Sequence, residues 1–229
     1  MIHMSVCYFR HRRIISQFQT NFRFLKHFKS SIFTNPEKPL LKSHHLEDRK
    51  RNADITFLGR SGKLKEARKL FDEMSHRDTV SYNFMITVYI KNKDLYEAEK
   101  IFKAMPHRGI VAESAMIDGY VKAGRLNDAR NVFDNMTERN VFSWTSLISG
   151  YFSSGRIEEA LCLFDQMPER NVVAWTIMVL GFACNGLMDR ARWFFDLMPE
   201  KNIVAWTVMV KSYIDNGQFN EAYKLFECQ

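Results

Sequence analysis

Residues Val172 to Asn202 read VVAWTIMVLGFACNGLMDRARWFFDLMPEKN, and two helices are legible in that stretch. Trp175, Met178, Val179 and Phe182 recur at i, i+3, i+4 and i+7, which places them on one apolar helical face. Asn185-Gly186 ends that face, glycine being suited to the left-handed conformation at a helix end. Leu187, Ala191, Phe194, Phe195 and Met198 then form a second apolar face. It stops at Pro199, because the residue before a proline is driven out of the helical region.

The same unit recurs along the chain at a 31-residue step. Phe71, Phe102, Phe133, Phe164, Phe195 and Phe226 keep it, as do Ala67, Ala98, Ala129, Ala160, Ala191 and Ala222. Met74, Met105, Met136, Met167 and Met198 form a third column, and Tyr89, Tyr120, Tyr151, Phe182 and Tyr213 a fourth. A period between 20 and 50 residues means stacked supersecondary units. One helical pair cannot bury both its faces, so each unit must stack on its neighbours. The predicted architecture is all-α: a right-handed α-solenoid of helix-turn-helix units at 48–78, 79–109, 110–140, 141–171, 172–202 and an incomplete 203–229. The aromatic and methionine columns are core in this reading, and the small alanine marks close helix approach.

The chain carries a net charge of +7, but its distribution matters more than its size. Residues 1–45 hold eight Lys and Arg against Glu37 alone, which leaves 25 cationic and 25 anionic residues in 46–229. The basicity therefore belongs to the start of the chain and says nothing about the repeats. Residues 1–36 contain no acid and scatter Arg10, Arg12, Arg13 and Arg23 among Phe9, Ile14, Phe18 and Phe22, with serines between them. That composition predicts an organellar transit peptide followed by a linker, largely disordered over 1–45, with the mitochondrion favoured and the chloroplast the alternative. A basic arm that contacts RNA has the same composition.

No uninterrupted apolar run reaches 18 residues, so no membrane partner is expected. Cys7, Cys162, Cys184 and Cys228 are too dispersed for a zinc cluster or a disulfide framework. Walker loops, nucleophile elbows and paired catalytic carboxylates are absent, so neither an enzyme nor a cofactor is expected. His76 and His107 share a turn column with Glu138, Glu169 and Glu200, and His44-His45 falls in the linker as a weak metal candidate.

The unit from Asn171-Val-Val-Ala-Trp175-Thr-Ile-Met through Gly186, Ala191, Phe195 and Met198-Pro-Glu-Lys resembles the pentatricopeptide repeat family, in its short 31-residue form common in plant organelle proteins. Tetratricopeptide units take about 34 residues and HEAT or armadillo units about 40 or more. The resemblance implies binding of single-stranded RNA, one base per unit, each read by two polar side chains. The first would be Asn52, Asn83, Ser114, Thr145, Thr176 and Thr207; the second, last in its unit, Asp78, Asn140, Asn171 and Asn202. Val80, Val111, Phe142, Val173 and Val204 match the family's apolar clamps between bases, and Arg49 occupies that column in the first unit.

By the family's code, Asn with Asp implies uracil, and Ser or Thr with Asn implies adenine. The array would read U, an unread base, A, A, A and a purine. Gly109 leaves the 79–109 unit with Asn83 alone. Glu113 stands where other units have an aromatic, and Lys93 replaces the interhelix glycine, so a packing defect is expected there.

A plainer role fits the same residues. Asn140, Asn171 and Asn202 lie where asparagine caps a helix, and serine or threonine in a first turn bonds local backbone. A peptide-binding scaffold is the competing function. The family's deaminase signature, HxE with a downstream CxxC, does not occur. Any editing, splicing or stabilisation would therefore place RNA for a protein partner that supplies the chemistry, with no role for DNA. The sixth unit stops four residues short of its period at Gln229, from which a longer array is expected.

Overall fold

The computed structural model describes residues 44–227, with side chains from residue 49 on, so the transit-peptide reading of 1–45 lies almost wholly outside it. Twelve helices follow in six pairs. The first helix of each pair is α1 (His44–Arg60), α3 (Thr79–Lys91), α5 (Ile110–Lys122), α7 (Val141–Ser153), α9 (Val172–Cys184) and α11 (Ile203–Asp215). The second is α2 (Leu64–Asp72), α4 (Leu95–Ala104), α6 (Leu126–Asn135), α8 (Ile157–Gln166), α10 (Met188–Leu197) and α12 (Phe219–Glu227). Helix α1 has 17 residues where the other first helices have 13, and it begins ahead of the boundary at 48. His44-His45, read as linker, is its first turn.

Each first helix packs on its own second helix and on the first helix of every adjacent unit. Second helices reach the next unit through the phenylalanine column: Phe71 meets Tyr82 edge-on at 5.2 Å between centroids, Phe133 meets Trp144 at 4.7 Å, Phe164 meets Trp175 at 5.1 Å and Phe195 meets Trp206 at 5.0 Å. Units whose first helices touch along the whole array are spaced most closely on that side, which makes the first-helix row the inner layer. Burial on several sides explains why α9 is apolar almost all round. The second helices carry one buried stripe and a solvated face with ion pairs such as Arg68–Asp72 and Arg130–Asp134 at 2.8 Å.

Ala67, Ala98, Ala129, Ala160 and Ala191 are fully buried, as close helix approach requires. The turn inside each pair needs a left-handed residue. Gly62, Gly124, Gly155, Gly186 and Gly217 supply it at φ of 72 to 73°, and Lys93 is forced to φ 64° in the second unit.

Two further columns fit one another across each joint between units. A side chain on Gly150 would stand 2.7 Å from Leu126 and 2.8 Å from Val121, while Gly119 faces Ile90 and Gly181 faces Phe152. Between the first two units the sizes are exchanged, with Gly59 facing Val88. One partner is small wherever the other is large, as close packing demands.

Candidate nucleic-acid interface

The helix starts decide what the polar columns can do. Helices α3, α7, α9 and α11 begin directly after Asp78, Asn140, Asn171 and Asn202, each extended at its ψ of 168 to 175°. Each caps its helix. Asp78 Oδ1 accepts from Ser81 N at 2.8 Å, Asn140 Oδ1 from Ser143 N at 2.8 Å, and Asn171 Oδ1 from Ala174 N at 3.1 Å. Asn202 Oδ1 accepts from Val204 N and Ala205 N at 3.1 and 3.0 Å. The oxygen of each amide is thereby committed to the backbone. The Nδ2 groups of Asn171 and Asn202 have no protein partner among the described residues.

The first polar column is committed in the opposite sense. Thr145, Thr176 and Thr207 donate their hydroxyl hydrogens to the carbonyls of Val141, Val172 and Ile203, at 2.7, 2.7 and 2.6 Å. Their oxygens retain only acceptor capacity. Ser114 Oγ donates to Asn140 Oδ1 at 3.2 Å, which joins the two polar residues of the 110–140 unit. No such bond links Thr145 to Asn171 or Thr176 to Asn202 among the described residues. Asn52, Ser114 and Thr145 are buried, and Asn83, Thr176 and Thr207 half-buried, so the column lies recessed rather than standing out from the surface.

Two buried side-chain polar atoms lack a partner among the described residues: Asn52 Oδ1 and Asn83 Oδ1, both in that column. A buried acceptor left unmatched is costly, and in native proteins it marks a position held for something other than stability.

The clamp column lies one turn ahead of the recessed one. Val80 and Val111 are 50% and 40% exposed, while Phe142, Val173 and Val204 are half-buried. Between α1 and α3 a groove of about 550 Å³ is lined by Arg49, Asn52, Thr56, Arg60, Val80 and Phe84. The structure thus brings Arg49 and Val80, which share one column in neighbouring units, and Asn52 onto one groove.

A column missed from sequence ends the same helices. Arg60, Lys91 and Lys122 are exposed in the last turns of α1, α3 and α5, followed by Ser153, Cys184 and Asp215. Lys122 is paired with Asp118. Net neutrality of the repeats hid this cationic row, because the compensating acids sit mainly on the second helices. The signal was available: the three cations keep the 31-residue step.

A second missed column caps the core. Arg77, Arg108, Arg139 and Arg170 lie over Phe71, Phe102, Phe133 and Phe164 at 5.2, 4.7, 4.8 and 4.8 Å from the ring centroids, and Lys201 lies over Phe195 at 5.5 Å. Arg77, Arg139 and Arg170 also donate to the carbonyl of the phenylalanine they cover, each at 3.0 Å. His76, His107, Glu138, Glu169 and Glu200 are exposed in the adjoining turns. Among the described residues no cluster of histidine, cysteine and carboxylate side chains could hold a metal ion, and no helix is long and apolar enough to cross a membrane.

An all-helical solenoid with a recessed polar column, a flanking apolar column and a cationic row along its inner layer is a stacked helical-repeat protein. The profile of the PPR repeat matches residues 55–78, 80–110, 114–141, 142–172, 173–203 and 204–228, and the chain belongs to that family. Its fold is similar to the crystal structure of the pentatricopeptide repeat protein PPR10 from maize, with a TM-score of 0.61, 17% identity, and 91% of this chain matched to 36% of that one. PPR10 in complex with an 18-nt psaJ RNA element matches with a TM-score of 0.60 and 20% identity, over 88% of this chain and 28% of the other. This chain therefore spans well under half the length of either solved protein. No curated protein shows a significant sequence match.

Proposed function

We propose that this chain binds single-stranded RNA sequence-specifically, one base per unit, and acts in organellar RNA editing, splicing or stability by presenting RNA to a partner that performs the chemistry. The observation that carries the reading is the opposed commitment of the two polar columns. In the 172–202 unit, Thr176 Oγ1 can only accept and Asn202 Nδ2 can only donate. Adenine's pairing edge presents an amino donor and a ring-nitrogen acceptor, which complement that pair. In the first unit, Asp78 keeps acceptor capacity for the ring N–H of uracil. Val80 and Val111 on either side would hold the bases as clamps, with Arg49 stacking in the first unit. The leader would direct the protein to mitochondria, with the chloroplast the alternative.

Fluorescence anisotropy with a U-N-A-A-A-A oligonucleotide against its scramble tests this. Tighter binding of the designed sequence by about tenfold or more is expected, since a well-matched hydrogen-bonded base contact discriminates by roughly 1–3 kcal/mol. Equal weak binding of both sequences would sink base reading, and tight binding of an apolar peptide would favour the scaffold alternative. A reporter fused to residues 1–36 that stays in the cytosol would remove the organellar assignment.

A further inference from the structure

We infer that the joint between the second and third units is the hinge of the solenoid, and that it leaves the spacing of bases across it free. The second half of this inference rests on the RNA reading above; the first does not.

Four devices tie the other joints, three of them at every one and the fourth at three of the four, and this joint lacks all four. The aromatic that meets the preceding phenylalanine edge-on is Tyr82, Trp144, Trp175 or Trp206 elsewhere, but here Glu113 stands in that column. The side-chain cap given by Asp78, Asn140, Asn171 and Asn202 is lost at Gly109. The cation that lies over the phenylalanine also bonds backbone carbonyls of the preceding helix at Arg77, Arg139, Arg170 and Lys201. Arg108 stacks on Phe102 without such a bond among the described residues. Lastly, Asn92, Asn185 and Asn216 reach across three joints to the carbonyls of Gly59, Phe152 and Ala183, at 3.0, 3.1 and 3.3 Å. The equivalent residue here is Ala123, which has nothing to donate.

Besides its buried apolar packing, this joint keeps the Arg108–Phe102 stack, Gly119 lying against Ile90 and Leu95, and the ion pair Arg125–Glu99 at 2.5 Å. The arginine of that ion pair is 45% exposed. Partly exposed pairs add little rigidity, being hydrated and screened. The joint between the third and fourth units also lacks the asparagine, since Ser154 bonds only its own helix, but it keeps the other three devices. On this inference the array is two blocks, units one and two against units three to six, because a joint without these side-chain ties is where such a chain bends.

Spin-label distances in the full chain, with Cys7, Cys162, Cys184 and Cys228 replaced by serine, test the hinge. Lys65→Cys with Asn127→Cys spans it, and Asn127→Cys with Asp189→Cys is the control. All three sites are exposed on second helices in one column, so both pairs bridge two joints. The distance distribution of the first pair is expected to be about twice as wide. Glu113→Trp combined with Ala123→Asn should narrow it to the control width. Gly109→Asn alone, at a site with nothing near its added Cβ, should narrow it in part. Equal widths in the parent protein, or no narrowing in either variant, would overturn the hinge.

The register is read with RNA carrying one inserted nucleotide. Insertion between the second and third bases should weaken binding by less than about threefold, and insertion between the third and fourth by about tenfold or more. Equal losses overturn the free register. If no RNA binds at all, the proposed function fails while the distances still decide the hinge.

Discussion

Ser114 Oγ lies 3.2 Å from Asn140 Oδ1, so the first and last polar residues of one unit, 26 positions apart, meet at the start of the next unit's first helix. Asn140 Oδ1 also accepts from Ser143 N at 2.8 Å, which makes one atom both a helix cap and the partner of the reading column. Capping and the proposed base reading therefore do not exclude one another. The cap orients the amide, and its orientation decides which atom is left for a ligand.

Asn171 separates the two roles. Asn171→Asp retains an oxygen for Ala174 N and replaces the amide donor with an acceptor, so stability should hold while base preference moves from adenine toward guanine. Asn171→Ala should lose about 1 kcal/mol of stability with the cap. Thermal unfolding and anisotropy on a set of four single-base oligonucleotide variants read the two effects separately.

Lys93 is the one non-glycine residue with positive φ among the described residues, at 64°. Left-handed backbone costs a residue with a Cβ about 1 kcal/mol or more relative to glycine. Lys93→Gly should therefore raise the urea midpoint, with the slope unchanged; an unchanged midpoint would show that the lysine compensates elsewhere.

Gly150 and Val121 should behave as a pair. Gly150→Val alone forces its side chain into Val121 and Leu126, and overpacking of this kind costs about 1–3 kcal/mol. Val121→Gly with Gly150→Val reproduces the exchanged arrangement that Gly59 and Val88 already adopt, and most of the loss should be recovered. A double-mutant cycle by chemical denaturation measures the coupling, and simple additivity would contradict it.

Glu113 gives a pH signature. Burial raises its pKa above the ordinary 4.5, with Arg108 opposing the shift. A raised carboxyl pKa means the folded state favours the protonated form. Its contribution is therefore fully present below the ordinary carboxylate pKa and is lost as pH rises through the folded value. Glu113→Gln should stabilise the protein at neutral pH and cease to do so well below 4.5. Melting curves at the two pH values check the direction; a gain that is the same at both would exclude titration of Glu113 as its source.

Arg60 borders the groove of Arg49, Asn52 and Val80 without reading a base in this scheme. Arg60→Ala should weaken binding of designed and scrambled RNA alike, and make the salt dependence shallower by about 0.7 on logarithmic axes. Loss confined to the designed sequence would assign the arginine to base recognition instead.

Much of this molecule is written in local chemistry. Helix α9 starts after Asn171 and ends before Gly186, and both signals act within a few residues, so the period, the helical pairs and their register are legible without coordinates. The phenylalanine, alanine and methionine columns fall in the core for the same reason, since a repeat copied at a constant step buries the same face each time, except that Phe226, expected in the core, is 44% exposed on the last helix. The cationic ends Arg60, Lys91 and Lys122 were equally periodic, but a neutral sum over the repeats masked them. Other features depend on which residue of the next unit arrives at a given point, and only the tertiary structure decided them. Val88 is tolerated because Gly59 faces it, and Ser114 donates to Asn140 Oδ1, 26 positions on, where Thr145 and Thr176 donate only within their own helices. The sequence by itself determined that these units stack and in what register. The stack decided which atoms remain unspent along its inner face, because a hydrogen-bonding atom's free valence is known only after every neighbour is in place.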